Sequence, residues 1–159
     1  MKFNATVDNE CGKYSYQIQA PPSPPPSKPK APMTVGGVQC RDKPTSHHGD
    51  VSDGDQDSWA KWVCGDKNGW SGVAMKAGDE PLSWTPTQRD RDALLTYTVS
   101  WVEGCEADVE SQGISNPVEG ATCYQIFRDD FAKCTGNEGV GGSTQAGCLK
   151  YDFEGHGGS

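Results

Sequence analysis

No stretch of about 18 apolar residues occurs anywhere in the 159-residue chain, so the sequence carries no helical membrane span. Positive charge is also in short supply. Fourteen Lys and Arg face 22 Asp and Glu, for a net charge of −8. Nucleic acid and anionic membrane surfaces would require a basic face, and neither is expected as a partner. Hydrophobic residues make up only 33%, so the chain can bury a modest core that covalent staples would help to hold. No Cys-x-x-Cys pair occurs among its seven cysteines, which argues against a zinc ribbon or a thioredoxin-type motif. The start, Met1-Lys2-Phe3-Asn4, lacks the apolar run of a signal peptide. Met1 is therefore read as an initiator placed at a truncation.

What the chain does have is cysteine, glycine and proline. The cysteines stand at 11, 40, 64, 105, 123, 134 and 148, a spacing that suits disulfides in an oxidising, extracellular compartment. The sequon Asn4-Ala5-Thr6 fits the same compartment. Residues 20–33 contain the run Ala20-Pro21-Pro22-Ser23-Pro24-Pro25-Pro26-Ser27-Lys28-Pro29-Lys30-Ala31-Pro32. It is expected to be a solvated polyproline II spacer without shared contacts, since it is poor in backbone donors. An SH3-type ligand would have the same composition, but outside the cell a spacer fits better. The spacer divides the chain into residues 1–19, the tail of a preceding domain or an N-terminal extension, a cysteine-rich domain over 34–155, and a tail at 156–159. Six cysteines fall in that domain and are expected to form three disulfides. Cys11 is left over and points to an upstream domain as its partner.

Within the domain, 34–40 is expected to be a first strand. Trp59, Trp62 and Val63 are spaced i, i+3, i+4, which predicts a helix over 57–64 with Asp55 or Asp57 as its cap and Gly65 at its end. That stripe places Trp59 and Trp62 in the core. A short strand is expected around Val73-Ala74-Met75. Residues 94–102 alternate cleanly, with Leu95, Tyr97, Val99 and Trp101 on one face and Thr96, Thr98 and Ser100 on the other. Thr122 and Gln125 match a capping box for a helix to Cys134, whose stripe is Cys123, Ile126, Phe127, Phe131 and Cys134. The glycines from Gly136 to Gly147 are expected to be a tight loop carrying Cys134 round to Cys148. A last strand follows, with Leu149, Tyr151 and Phe153 on one side. The order predicts an α+β fold, a small disulfide-stapled sandwich whose antiparallel sheet has two helices on one face, of the split βαβ type. Cys123 and Cys134 lie eleven residues apart on one helix, about 16 Å along its axis, and cannot pair with each other. The expected bridges are Cys134 or Cys123 to Cys148, and Cys40 to Cys64, with Cys105 in the same set.

The run Ser100-Trp101-Val102-Glu103-Gly104-Cys105, then Asn116-Pro117, Thr122-Cys123, Cys134, Gly141-Gly142-Ser143 and Gly147-Cys148-Leu149-Lys150-Tyr151-Asp152-Phe153, resembles a cysteine-rich accessory module of secreted fungal proteins. Such modules stand at the C-terminal end of extracellular hydrolases, including chitinases and other carbohydrate-active enzymes. The layout is also similar to the killer-toxin α/β sandwiches of fungal viruses and fungal effectors. The resemblance covers residues 95–154. It implies an accessory domain without its own catalysis, or a toxin- or effector-like protein acting on a protein or cell-surface partner.

The residues themselves offer several chemistries. Asp53, Asp55 and Asp57 copy the first positions of an EF-hand loop, but Ser58 and Cys64 stand where the turn glycine and the bidentate Glu belong. They suit the start of a helix better. His47, His48 and Asp50 could bind a metal only opportunistically, so no metal or cofactor is expected. Glu103, Asp108 and Glu110 are carboxylates without the cleft a glycosidase needs. Ser143 has neither a Gly-x-Ser-x-Gly context nor a triad histidine, so no catalytic residue is assigned. Trp70 and Trp84 lie in polar, Gly/Pro-containing segments, so either could be exposed, or tucked back as a lid over a small core. An exposed indole face stacks on the C–H face of a sugar ring, which makes polysaccharide, chitin or glucan, the expected ligand and these two residues the expected carbohydrate-binding site.

Overall fold

The computed structural model describes residues 2–9, 12–19, 30–43, 51–65, 70–86 and 93–157. Its elements are β1 (Lys2–Asn9), β2 (Gly12–Gln19), β3 (Gln39–Cys40), α1 (Asp53–Val63), β4 (Ala74–Lys76), β5 (Leu82–Trp84), β6 (Ala93–Trp101), β7 (Ser111–Gly113), α2 (Cys123–Ala132), β8 (Gly141–Ala146) and β9 (Leu149–Gly157). β1 and β2 pair antiparallel with each other. The central sheet is antiparallel, in the order β3-β8-β9-β6-β5. β4 and β7 make a second, two-stranded sheet. Among the described residues no helix is long and apolar enough to cross a membrane.

The alternation over 94–102 does what its pattern dictates. Leu95, Tyr97 and Val99 are fully buried and face the helices, and Tyr97 pairs across to Phe153 of β9. Tyr97 also meets the Phe127 ring of α2 edge-on at 5.2 Å, and its hydroxyl donates to the Gln56 carbonyl of α1 at 3.0 Å. One face of β6 thus carries both helices, and the fold is the disulfide-stapled α+β sandwich. α2 begins where the capping box sets it, with Thr122 Oγ1 accepting from Gln125 N at 3.2 Å.

α1 departs from expectation. It starts four residues early at Asp53, with Ser52 as the cap, accepting from Asp55 N at 3.2 Å. Its buried face is Gln56, Ala60 and Val63, so Trp59 and Trp62 turn to its flank and are half-buried. A glutamine can occupy the core face because its amide is satisfied there. Nε2 donates to the Phe127 carbonyl at 2.9 Å, and Oε1 accepts from Arg128 at 2.5 Å.

The expected glycine loop is in part a strand. β8 runs between β3 and β9, pairing with both. A Cβ at Gly142 would collide with the Gln39 carbonyl oxygen and press on the Cys134 sulfur, and one at Gly141 would strike the Phe153 ring. These glycines exist for close approach within the sheet rather than for a loop. The first strand is short, with only Gln39 and Cys40 paired and an isolated bridge at Val35.

All six domain cysteines are bridged, but in another pattern than expected. The bonds are Cys40–Cys134, Cys64–Cys123 and Cys105–Cys148. The inward side of β3 faces the end of α2, and the end of α1 faces the start of α2. Cys148 therefore reaches Cys105, just beyond β6, instead of either helical cysteine. Cys11 and its expected upstream partner lie outside the described residues. The spacer is not free of contacts at its end. Ala31 N donates to Glu106 O at 2.7 Å, Lys30 pairs with Asp108 at 3.1 Å, and Met33 packs on the core.

Candidate functional site

A cluster of half-buried tryptophan rings lies where α1 meets the β5 edge. Trp62 stacks on Trp84 at 4.4 Å with an interplanar angle of 26°. Trp59 sits against both, at 5.5 Å from Trp84 and 6.4 Å from Trp62. On its other side Trp84 lies 6.4 Å from the buried ring of Tyr97, its cross-strand neighbour. The rings therefore form a pile, Tyr97 at the bottom, then Trp84, then Trp62. Trp84 and Trp59 pack on the core, and all three tryptophans are half-buried. The pile is positioned by elements that are themselves fixed. β5 pairs with β6 through Trp84 opposite Tyr97, and α1 is tied at its end by Cys64–Cys123. Pro81 and Pro86 bracket β5 in sequence, limiting further pairing at that edge.

Trp84 thus belongs to a ring cluster, as part of a stack rather than alone. Trp70 does not. It is 7% exposed and lies in the hydrophobic core, which is the tucked-back alternative and not the open indole of the expected sugar site. Its segment is polar, yet Val73 N donates to the Trp70 carbonyl at 3.1 Å, a turn that folds the ring inward. Trp62 takes the outer position. The helical spacing that assigned it to the core concealed this, because the core stripe runs one residue over through Gln56 and Ala60.

Polar groups beside the stack tie the two helices together. Asp57 accepts from Lys61 at 2.7 Å, from Arg128 at 3.3 Å and from the Tyr124 hydroxyl. The bond from Lys61 and then that from Tyr124 hold the Asp57 carboxyl below its ordinary range. The same bond raises Lys61, whose ammonium lies 5.6 Å over the Tyr124 ring. Arg128 also binds Asp53 at 2.7 Å. Asp53, Asp55 and Asp57 all stand on α1, where a helical backbone cannot wrap them around a calcium ion. Among the described residues no cluster of His, Cys, Asp and Glu could hold a metal. His47, His48 and Asp50 lie outside the described residues.

Glu103, Asp108 and Glu110 are exposed around the chain leading from β6 to β7. A groove of about 610 Å³ opens at the end of α2, lined among others by Lys43, Val51, Asp53, Phe131 and Glu138. Its charges are paired, Lys43 with Glu138 at 3.3 Å and Asp53 with Arg128. None of the three carboxylates lines it. Ser143 stands on β8 opposite Asp152, on the face of the sheet away from the helices. Comparison with protein-family models, curated proteins and solved structures finds no match for this chain.

Proposed function

We propose that this chain is a secreted accessory domain without catalysis of its own, which binds cell-wall polysaccharide, chitin or glucan, for an attached hydrolase. The observation that carries the reading is the indole pile, with Trp62 stacked outermost on Trp84. A flat ring held rigidly in place loses little entropy on meeting a sugar, and its face complements the C–H face of a pyranose. The three disulfides support an extracellular setting, because such bonds persist in oxidising compartments. The resemblance of residues 95–154 to accessory modules of secreted fungal hydrolases supports the attachment.

Co-sedimentation with insoluble chitin and with insoluble β-glucan tests it. The protein is expected to leave the supernatant with at least one polymer and to stay bound at about 1 M salt, because stacking is not screened as ion pairs are. Depletion by neither polymer overturns the proposal and favours the toxin- or effector-like role on a protein or cell-surface partner.

A further inference from the structure

The face of the five-stranded sheet turned away from the helices is polar. Lys150, Asp152 and Glu154 of β9 stand opposite Ser100, Thr98 and Thr96 of β6. On the other side of β9, Gln145 and Ser143 of β8 face Lys150 and Asp152. Toward the β3 edge this face dips into a basin of about 550 Å³, lined by Gly36, Gly37, Gln39, Ser143, Gln145 and Lys150 together with Val102. Sites for small ligands have volumes of this order. The wall is fixed by backbone, since Gly36 N donates to the Gln145 carbonyl at 2.8 Å. At the rim Gln145 Nε2 donates to the Gly147 carbonyl at 2.9 Å.

The charge of the basin runs against that of the chain. The sequence carries 22 Asp and Glu for a net charge of −8, yet no carboxylate lines the basin. Among the described residues Lys150 has no carboxylate partner, as Lys76 on β4 has none, whereas Lys30, Arg41, Lys43, Lys61, Arg128 and Lys133 each have one. Asp152, two residues along the same strand, is held by Arg41. An exposed, uncommitted ammonium surrounded by two amides and a hydroxyl suits a ligand that bears one negative charge and several hydroxyls. An ion-assisted bond anchors such a ligand, while amides and hydroxyls exchange hydrogen bonds with it in either direction.

We infer that this basin binds the carboxylate of an acidic sugar, a uronic acid residue, with Lys150 on the carboxylate and Gln39, Gln145 and Ser143 on neighbouring ring hydroxyls. The site is separate from the indole pile. The basin lies on the face of the sheet turned away from the helices, whereas Trp84 pairs with Tyr97 on the face that carries them, and Lys150 on β9 is two strand spacings, roughly 10 Å, from the β5 edge.

The test is a titration of the isotope-labelled full chain with trigalacturonate and, as the neutral control, cellotriose, followed by amide shifts in wild type, Lys150→Gln and Trp62→Ala. Trigalacturonate is expected to shift amides of residues 143–150 in wild type and to weaken with added salt. Its affinity should fall roughly tenfold or more in Lys150→Gln, the size of a lost bond to a charged group. It should be unchanged in Trp62→Ala, so that failure of the indole pile as a sugar site and failure of the basin give different results. Lys150 is exposed, and an unshifted spectrum elsewhere shows that the Gln variant is folded. Equal affinity in Lys150→Gln, equal response to the neutral trisaccharide, or no shift around the basin overturns the inference.

Discussion

Asp130 has a side chain with no access to solvent. Thr144 Oγ1 donates to its Oδ1 at 2.5 Å, while Oδ2 has no hydrogen-bond partner among the described residues. Burial, opposed by the Thr144 bond and reinforced by the charges of Asp152 and Asp129, pushes this carboxyl up to about 8 from an ordinary 3.8. Below 3.8 both folded and unfolded chains hold the proton, and the group costs nothing. Between 3.8 and about 8 the unfolded chain has lost the proton and the folded chain keeps it, so stability falls by about 1.4 kcal/mol per pH unit. Neutral pH lies roughly three units into that window, which gives a loss of about 4 kcal/mol by pH 7. Asp130→Asn keeps an acceptor for Thr144 and removes the titration. The variant should therefore match or fall slightly below wild type at pH 4 and exceed it at pH 7, by on the order of 10 °C in melting temperature. Thermal and urea unfolding of both proteins at the two pH values measures this. Taking the difference between them cancels the other carboxylates, Asp57 included. A wild-type-minus-variant difference that is the same at pH 4 and pH 7 would show that Asp130 is ionised in the folded state and refute the argument.

Three further outcomes follow from packing. Peptide mapping without reduction should recover Cys40–Cys134, Cys64–Cys123 and Cys105–Cys148, and replacing both Cys64 and Cys123 by Ser should cost about 4 kcal/mol for a loop of 59 residues; any other pairing contradicts the fold. Gly142→Ala should destabilise strongly, because the added methyl meets the Gln39 carbonyl and the Cys134 sulfur. A melting curve within a degree or two of wild type would contradict the close approach of β3 and β8. Trp70→Ala should cost roughly 3–5 kcal/mol, as a large core truncation does, and leave polysaccharide affinity of the folded protein unchanged; lost binding at unchanged stability would return Trp70 to the surface.

The sequence made part of this fold legible. β6 and α2 carried strong local signals, an unbroken period of two and a capping box, and both lie where those signals place them. β8 was hidden because Gly141 and Gly142 have no side chain to alternate, and what requires glycine there is the neighbouring backbone and disulfide. The spacing of Trp59, Trp62 and Val63 marks only one edge of the buried face of α1, whose centre includes Gln56, polar by type yet satisfied in the core by Phe127 and Arg128, contacts 71 and 72 residues away. The same spacing hid the outer indole of the candidate site. A polar segment does not by itself expose a tryptophan, since Trp84 is half-buried against the core and Trp70 is buried in it. Disulfide pairing depends on which element ends meet, and spacing alone excluded only the bridge within α2.

The central claim is that the outermost indole of the stacked pile grips a sugar, and a binding isotherm on the depleting glycan for wild type and Trp62→Ala, beside their melting curves, tests it most directly. One stacked ring contributes on the order of 1 kcal/mol, so the variant should bind with roughly tenfold or less lower affinity. Because Trp62 caps the pile and is only half-buried, the variant should also stay folded. Trp84→Ala, cut from between Trp62 and Tyr97, should lose binding and melt early. Wild-type affinity in a folded Trp62→Ala protein would contradict the claim.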